Sequence, residues 1–229
     1  MHLVFSIFRC CLVGVATYSH STWRSTPHPP VAGRRKSAVR FSAGVRPRRI
    51  TSAHTMVILE TERLTIRRLL PTDLDDLSAL YSDEETRRFF PDGTRTRAET
   101  WEELEWFLHG HPRHAELGLW ATVERSTGDF LGRCGLLPWT IDGVDEVELA
   151  FLINKTRWRE GLATEAAQGI VWYAAERLRL KRLICLIMPG NVASAKISER
   201  VGMRFEREYT DEFGLCHIYA RSLATSEAC

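Results

Sequence analysis

Trp158-Arg159-Glu160-Gly161-Leu162-Ala163-Thr164-Glu165-Ala166 is the stretch on which the reading of this chain turns. It follows a strand-like run, Val147 to Ile153, and opens a helix-like run. A strand, a tight glycine-bearing turn and a helix N-terminus together form a cradle for phosphate. The amide N–H groups of a first helical turn have no partner inside the helix, and the helix dipole favours negative charge there. Gly161 can take a positive φ without strain and lets a ligand come close to the backbone. Such turns are common. The weight comes from a second element, Asn191-Val192-Ala193-Ser194, which opens another helix after a second apolar strand, Leu183 to Met188.

Outward from that turn, hydrophobic periodicity sorts the rest. The helix after Gly161 repeats apolar residues at 163, 166, 167, 170, 171, 174 and 178, a stripe that turns one face to a sheet. Leu183 to Met188 is continuously apolar, as expected of a strand covered on both sides. Pro189-Gly190 turns the chain, Asn191 or Ser194 caps a helix ending at Gly202, and two strands follow. Upstream, Leu64 and Ile66 alternate with Thr65 and Arg67 as a strand. Pro71-Thr72-Asp73 starts a helix with Leu74, Leu77, Leu80 and Tyr81 on one face. Thr96-Arg97-Ala98-Glu99 reads as a capping box ahead of Trp101, Leu104, Phe107 and Leu108. Leu117 to Val123 and Phe130 to Leu137 form a predicted hairpin joined near Ser126-Thr127-Gly128-Asp129. The mixture of antiparallel hairpin, crossover helix and near-parallel strands predicts an α+β fold with helices on both faces of the sheet, without an internal repeat.

The paired turns resemble motifs A and B of the GNAT superfamily of acetyl-CoA-dependent N-acetyltransferases. The branch they look most like is the RimJ/RimL type, which acetylates ribosomal-protein N-termini and related amines. The resemblance runs from about Ile58 to about Ser222. Thr61-Glu62-Arg63-Leu64-Thr65-Ile66-Arg67 looks like the first strand of that branch, and Ile218-Tyr219-Ala220-Arg221 like its last. It implies a mostly antiparallel twisted sheet with a central crossover helix after the phosphate-binding turn. It also implies acetyl-CoA as co-substrate, an amine as acceptor and no metal. The superfamily places Gln or Arg three residues before the motif A glycine; this chain has Trp158 there, as the branch often does. The cradle of Arg159, Glu160, Gly161, Leu162, Ala163 and Thr164 is therefore expected to hold the cofactor through backbone more than side chains, with Arg159 available to a phosphate. In motif B the resemblance gives Asn191, with Ser194 in the same turn, to the pantetheine arm or the diphosphate; a plain N-cap is compatible with that.

Acetyl transfer needs an anchored thioester, a deprotonated amine, a stabilised oxyanion and a departing thiolate. The resemblance aligns Glu146-Val147-Glu148-Leu149-Ala150-Phe151 with the strand that faces the thioester, which makes Glu148 the candidate base. Apolar neighbours would raise its pKa toward a useful value. Alternation with Leu149 equally allows a solvent-facing strand glutamate. The oxyanion is assigned to a backbone N–H at Phe151 or Leu152. The superfamily often has Tyr four residues after the motif B serine, where this chain has Ser198, a candidate proton donor acting through water. A thiol pKa of about 8.5 makes the thiolate a fair leaving group without a strong acid. Tyr219 is read as packing in the last strand. His109-Gly110-His111-Pro112-Arg113-His114 has ligand spacing broken by Gly and Pro and reads as a polar loop, not a metal site. Trp101, Trp106, Trp120, Trp139 and Trp172 read as core, with Trp106 and Trp139 also candidate walls of the acceptor site.

The net charge of +2 averages two unlike parts. Residues 1–55 hold nine of the 31 Lys and Arg and no Asp or Glu, which leaves 22 basic against 29 acidic side chains in the other 174 residues. A mildly acidic domain over 56–229 thus follows a basic extension over 1–55 expected to be disordered. A domain of that size buries roughly 70% of its unfolded surface and needs no disulfide or metal staple. Of the six cysteines none forms a CxxC pair, and Cys134, Cys185 and Cys216 lie in apolar runs, as reduced thiols of a cytoplasmic protein would. Leu3 to Ala16 is apolar but broken by Arg9 and too short to span a bilayer. The extension reads as a signal peptide with a poor n-region, as an acid-free transit peptide, or as an over-extended start with Met56 the initiator. Met56, just ahead of the resemblance, favours the last.

Two function classes follow. One is an active N-acetyltransferase that works by direct attack in a ternary complex, since no cysteine sits in a nucleophile's context. Its acceptor is a protein N-terminal α-amine or a small-molecule amine. α-Amines are favoured slightly, with pKa about 8 against about 10.4 for Lys. The other is a catalytically idle acyl-CoA-binding or interaction module tied to RNA or ribosomes by the basic tail. Neither a membrane nor nucleic acid is expected as partner of the domain. Residues 1–55 lack an acidic partner for their basic side chains, and ordering them would cost roughly 1–2 kcal/mol per residue in backbone entropy. A chain starting at Met56 is expected to keep the melting temperature and acetyl transfer of the full chain, as thermal melting and turnover of the two would show.

Overall fold

The computed structural model describes residues 57–112 and 114–223; the basic extension and Met56 lie outside the described residues. In chain order come β1 (Val57–Glu60), β2 (Leu64–Arg68), a 3-10 turn (Pro71–Asp73), α1 (Leu74–Ser82), α2 (Glu84–Arg87), α3 (Arg97–Phe107), β3 (Gly118–Glu124), β4 (Phe130–Ile141) and β5 (Val144–Ile153). A second 3-10 turn (Lys155–Arg157) leads to α4 (Leu162–Glu176), β6 (Arg182–Ile187), α5 (Val192–Arg200), β7 (Arg204–Asp211) and β8 (Gly214–Ser222). The strands form one sheet in the order β1-β2-β3-β4-β5-β6-β8-β7. Every neighbouring pair is antiparallel except β5 and β6, which α4 joins as a crossover. The fold is thus the expected mostly antiparallel α+β sheet with helices on both faces.

Side-chain alternation divides the sheet between two cores. On one face Leu64, Ile66, Cys134, Leu136, Leu149, Leu183 and Cys185 pack with Ala166, Ala167, Ile170 and Ala174 of α4. The small alanines let the helix lie close to the strands. On the other face Leu119, Ala121, Leu137, Ala150 and Leu152 meet Leu77, Leu80, Tyr81, Leu104 and Phe107 from α1 and α3. Each fully buried Leu, Ile or Phe contributes about 1.5–3 kcal/mol over an exposed one. The predicted stripes of α1 and α4 face inward, as do Leu104 and Phe107 of the α3 stripe but not Trp101, and the Thr96–Glu99 capping box forms with both hydrogen bonds. Asn191 rather than Ser194 caps α5, its side chain accepting from the Ser194 N–H at 3.1 Å.

The structure departs from the sequence reading at short elements and at some rings. β1 is a four-residue edge strand and α2 a single turn, both too short to show a period. Thr61 therefore sits in the turn between β1 and β2, not in a first strand. β4 and β5 run well past their apolar stretches to a two-residue turn at Asp142 and Gly143, with φ of 51° and 79°. Asp-Gly is the common pair for a turn that needs both residues left-handed. Trp120 is core, but Trp101 and Trp172 stand 37% and 55% exposed because both fall off their helices' buried stripes. His111 corrects the polar-loop reading: it is buried, its ring against those of Trp106, Phe107 and His114.

Gly135 stands opposite Ala150 in the β4–β5 ladder, a low saddle midway along β5. A Cβ on Gly135 would lie 2.0 Å from the Gly118 carbonyl oxygen. Gly135→Ala is expected to lower the melting temperature by roughly 4–10 °C. At Gly128 no atom lies within 4 Å of an added Cβ. Gly128→Asn, tolerant of its left-handed φ, should move the melting temperature by less than about 2 °C.

Candidate active site

The turn before α4 is built for an anion. Arg159 and Gly161 both adopt left-handed φ, 68° and 81°. Alternating left- and right-handed residues turn successive amides into one concavity, and a non-glycine held left-handed is a costly feature that sites tolerate. Gly161 is the N-cap of α4, and no side chain caps that end. By contrast α2, α3 and α5 are capped by Asp83, Thr96 and Asn191. The amides of Leu162, Ala163 and Thr164 are thus the free first-turn donors of a fifteen-residue helix. A Cβ at Gly161 would meet the Arg63 guanidinium at 3.6 Å and nothing closer, so the space in front of the turn is open.

The side chains around this turn are mostly occupied with holding it. Trp158 donates its indole N–H to the Ile153 carbonyl at 2.7 Å, bridging the 3-10 turn. Arg157 binds Glu124 and Glu160. Glu165 accepts from Thr61 Oγ1 at 2.6 Å, from the Arg63 N–H at 2.8 Å and from Arg63 Nε at 2.7 Å. Those donors hold its carboxyl below the usual range against the opposing pull of burial. The Thr61-Glu62-Arg63 segment therefore locks the first helical turn. Arg159 is exposed and has no ion-pair partner among the described residues. A cleft of about 360 Å³ beside the turn is lined by Arg63, Gly161, Thr164, Gln168 and Arg200, among others. Arg200 was not singled out by the sequence; its signal was a cation one helical repeat beyond Lys196.

Behind the turn, β5 and β6 part. Glu148 opposite Ile184 is their one registered pair among the described residues. On the closed side, Arg182 of β6 grips Glu146 of β5 at 3.0 Å. On the open side, the Cys185 thiol donates to the Leu149 carbonyl at 3.1 Å, so Leu149 points its backbone groups toward β6. Backbone polarity alternates along a strand. Phe151 therefore faces the opening, while Leu152, opposite Arg133, turns its N–H to β4. Two residues on, the Asn154 N–H reaches Leu131 of β4 at 2.8 Å, in keeping with that alternation. The open edge of β5 is bracketed at Leu149 by Cys185 and at Ile153 by Trp158, with the Phe151 peptide between. Of the two expected oxyanion donors the structure turns Phe151 to the gap.

Glu148 sits where the strands meet. Its side chain lies on the α1–α3 face, half-buried, with Oε2 accepting from the Trp139 indole N–H at 2.7 Å. Trp106, the other proposed wall, packs against His111. Ser198 is wholly buried on the α5 side, against the Cys185 thiol, without a partner in hydrogen-bonding geometry. Glu148 and Ser198 thus lie on opposite faces of the sheet. Tyr219 packs, as read, against the α4 side. Among the described residues no three His, Cys, Asp or Glu side chains come together as metal ligands.

The segment from α2 to Arg95 closes over the open end. Lys155 ties the 3-10 turn to Asp83 at 2.6 Å, and Phe89 lies 3.9 Å from where a Cβ on Gly190 would be. Beneath it, Arg87, Arg95 and Arg133 are buried with Glu103 and Tyr81, and half-buried Asp92 pairs with Arg87 and Arg95. Tyr81 bonds Glu103 and receives Arg133 Nε at 2.7 Å. Burial pushes the Tyr81 phenol far up, so it stays neutral.

Residues 63–204 match the family described as acetyltransferase (GNAT) domain. YkkB of Bacillus subtilis (strain 168) is 27% identical over 150 residues, 65% of this chain and 86% of YkkB. The structure is similar to that of an acetyltransferase (GNAT family) from Bacillus anthracis, with TM-score 0.61 and 22% identity over 71% of this chain and 96% of that one. It is also similar to spermidine N-acetyltransferase from Vibrio cholerae in complex with CoA and spermine, with TM-score 0.60 and 15% identity over 72% and 98%. At these identities the two structures show likeness of fold.

The thiols give a check on the strand gap. Burial pushes both Cys134 and Cys185 up to about 12. At pH 8 the thiolate fraction of each is then about 10⁻⁴. Iodoacetamide is expected to leave Cys134 and Cys185 unlabelled in the native chain and to label both in guanidinium, as peptide mass spectrometry would report. Native labelling of Cys185 at the unfolded rate would mean that β5 and β6 stand open.

Proposed function

Since this chain belongs to the acetyltransferase (GNAT) domain family, we propose that it transfers the acetyl group of acetyl-CoA to a primary amine by direct attack in a ternary complex. One observation carries the reading: β5 has a carboxylate where it leaves β6 and an uncapped helix N-terminus just beyond its other end. An extended thioester can lie along that edge with its phosphates in the cradle and its carbonyl toward Glu148.

In this reading the amides of Leu162, Ala163 and Thr164, with the turn from Arg159 through Glu160 to Gly161, hold the diphosphate, and Arg159 adds charge. Asn191 has its carbonyl oxygen engaged by the Ser194 amide, which leaves its NH2 for the pantetheine arm. The Phe151 N–H polarises the thioester carbonyl. Glu148 takes the proton of the attacking amine as the N–C bond forms. The tetrahedral intermediate then collapses, the C–S bond breaks and the thiolate leaves. Ser198, buried against the Cys185 thiol, is kept as the hydroxyl that passes a proton from water to the departing sulfur.

The RimJ/RimL-type assignment is supported by Thr61-Glu62-Arg63-Leu64 and by the use made of it, since Thr61 and Arg63 both bind motif A through Glu165. It favours a protein N-terminal α-amine as acceptor, in the cytoplasm, where the three buried thiols stay free. A small amine is the second reading, supported by the fold shared with the spermidine enzyme. A carboxylate at the start of the open edge of β5 weighs against an idle module. CoA release should be followed with acetyl-CoA and a panel of short peptides with free N-termini, spermidine and other small amines. Turnover is expected with a member of the panel, and its absence throughout would favour the idle module. Glu148→Gln should keep acetyl-CoA affinity by calorimetry and lose about 10²- to 10⁴-fold in rate. Gly161→Val should lose affinity instead; unchanged affinity there would move the cofactor away from the turn.

A further inference from the structure

Resting on the assignment of Glu148 as base, we propose that Trp139 is a positioning residue of this site: its indole N–H fixes the orientation of the Glu148 carboxylate. Trp139 on β4 stands opposite Glu146, and Leu137 opposite Glu148. The indole reaches Glu148 diagonally, on one face of the ladder, within the reach of a long side chain. The 2.7 Å contact is that of a charge-assisted hydrogen bond. An indole N–H donates and cannot accept, so Trp139 can hold the carboxylate but cannot take its proton.

The ring itself is held. It packs at the seam between the α1–α3 core and a small cluster of Ile141, Ile184 and Ile218. Glu146 is bound to Arg182, which also binds Glu206 at 2.7 Å. Cys185 on β6 is a neutral thiol, raised by burial, on the α4 face, and Tyr209 on β7, on the Trp139 side, is a phenol raised chiefly by burial. Cys216 of β8 lies on the same side of the sheet as Tyr209. The bland alternative is a tryptophan that fills a seam. A phenylalanine would fill most of that seam and lack the N–H, so Trp139→Phe separates the two roles.

In the full chain, the Trp139 indole ¹⁵N–¹H resonance is expected to titrate with the Glu148 carboxyl and to stop titrating in Glu148→Gln. In Trp139→Phe the ¹³C titration of the Glu148 carboxyl should move up by about one pH unit, since a donor that favours the ionised form is gone. The acidic limb of kcat/KM, with acetyl-CoA and the amine of the panel that turns over fastest, should move with it, at unchanged acetyl-CoA affinity. A Trp139→Phe protein whose carboxyl titration and acidic limb stay in place would overturn the proposal, whatever its melting temperature. An indole resonance blind to Glu148→Gln would overturn it without need of the Trp139 variant. Wild-type rate in Glu148→Gln sinks the base itself, and is told apart because the indole of the unsubstituted chain would still titrate with Glu148.

Discussion

Backbone groups that leave a ladder must find other partners, and the parting of β5 from β6 is the place where this chain meets that demand. Beyond Glu148 and Ile184 the parallel pairing stops, although both strands stay buried. A buried peptide without a partner costs roughly 1–3 kcal/mol. The chain answers with side chains on the edge of β5: a thiol on Leu149 and an indole on Ile153. The Phe151 peptide lies between them. The same logic applies at α4, whose N-terminus alone among the longer helices after α1 has no capping side chain. Two unmet backbone demands lie at successive points along one path, which is what an extended acyl carrier with phosphates at one end requires.

Around that path the molecule spends its charged side chains on holding backbone in place. Glu165 fastens the β1–β2 turn to α4, Arg157 fastens the strand end to Glu124, and Lys155 fastens the cradle to α2. Several of these pairs are well exposed, and exposed pairs are worth little in stability. Their value here is geometric. They fix three separate segments of chain against a turn that has two left-handed residues and would otherwise be free to relax.

The fold was largely legible because its long elements carry clean periods. The stripe of α4 from Ala166 to Ala174 and the unbroken run of β6 each describe one packed face, and both were placed to within two residues. β1, α2 and the extension of the β4–β5 hairpin were not legible. Four residues cannot display a period, and the hairpin's outer part alternates charge with exposure instead of burying an apolar row. Among site residues, the cradle could be read because glycine there answers a backbone need. The orientation of Phe151 against Leu152 could not, since it depends on which neighbour each peptide faces. Nor could the separation of Glu148 from Ser198, because a sheet face is set by register, and register belongs to pairs of strands. Trp139 reads as core and as a candidate wall of the acceptor site, beyond the predicted end of its strand at Leu137, and its diagonal hydrogen bond leaves no local pattern.

The buried arginines beneath the closing segment carry a consequence for how such a protein can change over generations. Arg87, Arg95 and Arg133 share Asp92, Glu103 and the Tyr81 hydroxyl, so that loss of one member strands another's charge away from water. Stranding a buried charge commonly costs several kcal/mol. Drift through this cluster by single steps is therefore closed. Arg88, Phe89 and Pro91, threaded between its members, carry none of the cluster's ion pairs among the described residues. Those positions can change while the scaffold under them stays fixed, which makes the cluster a hinge point between robustness and innovation.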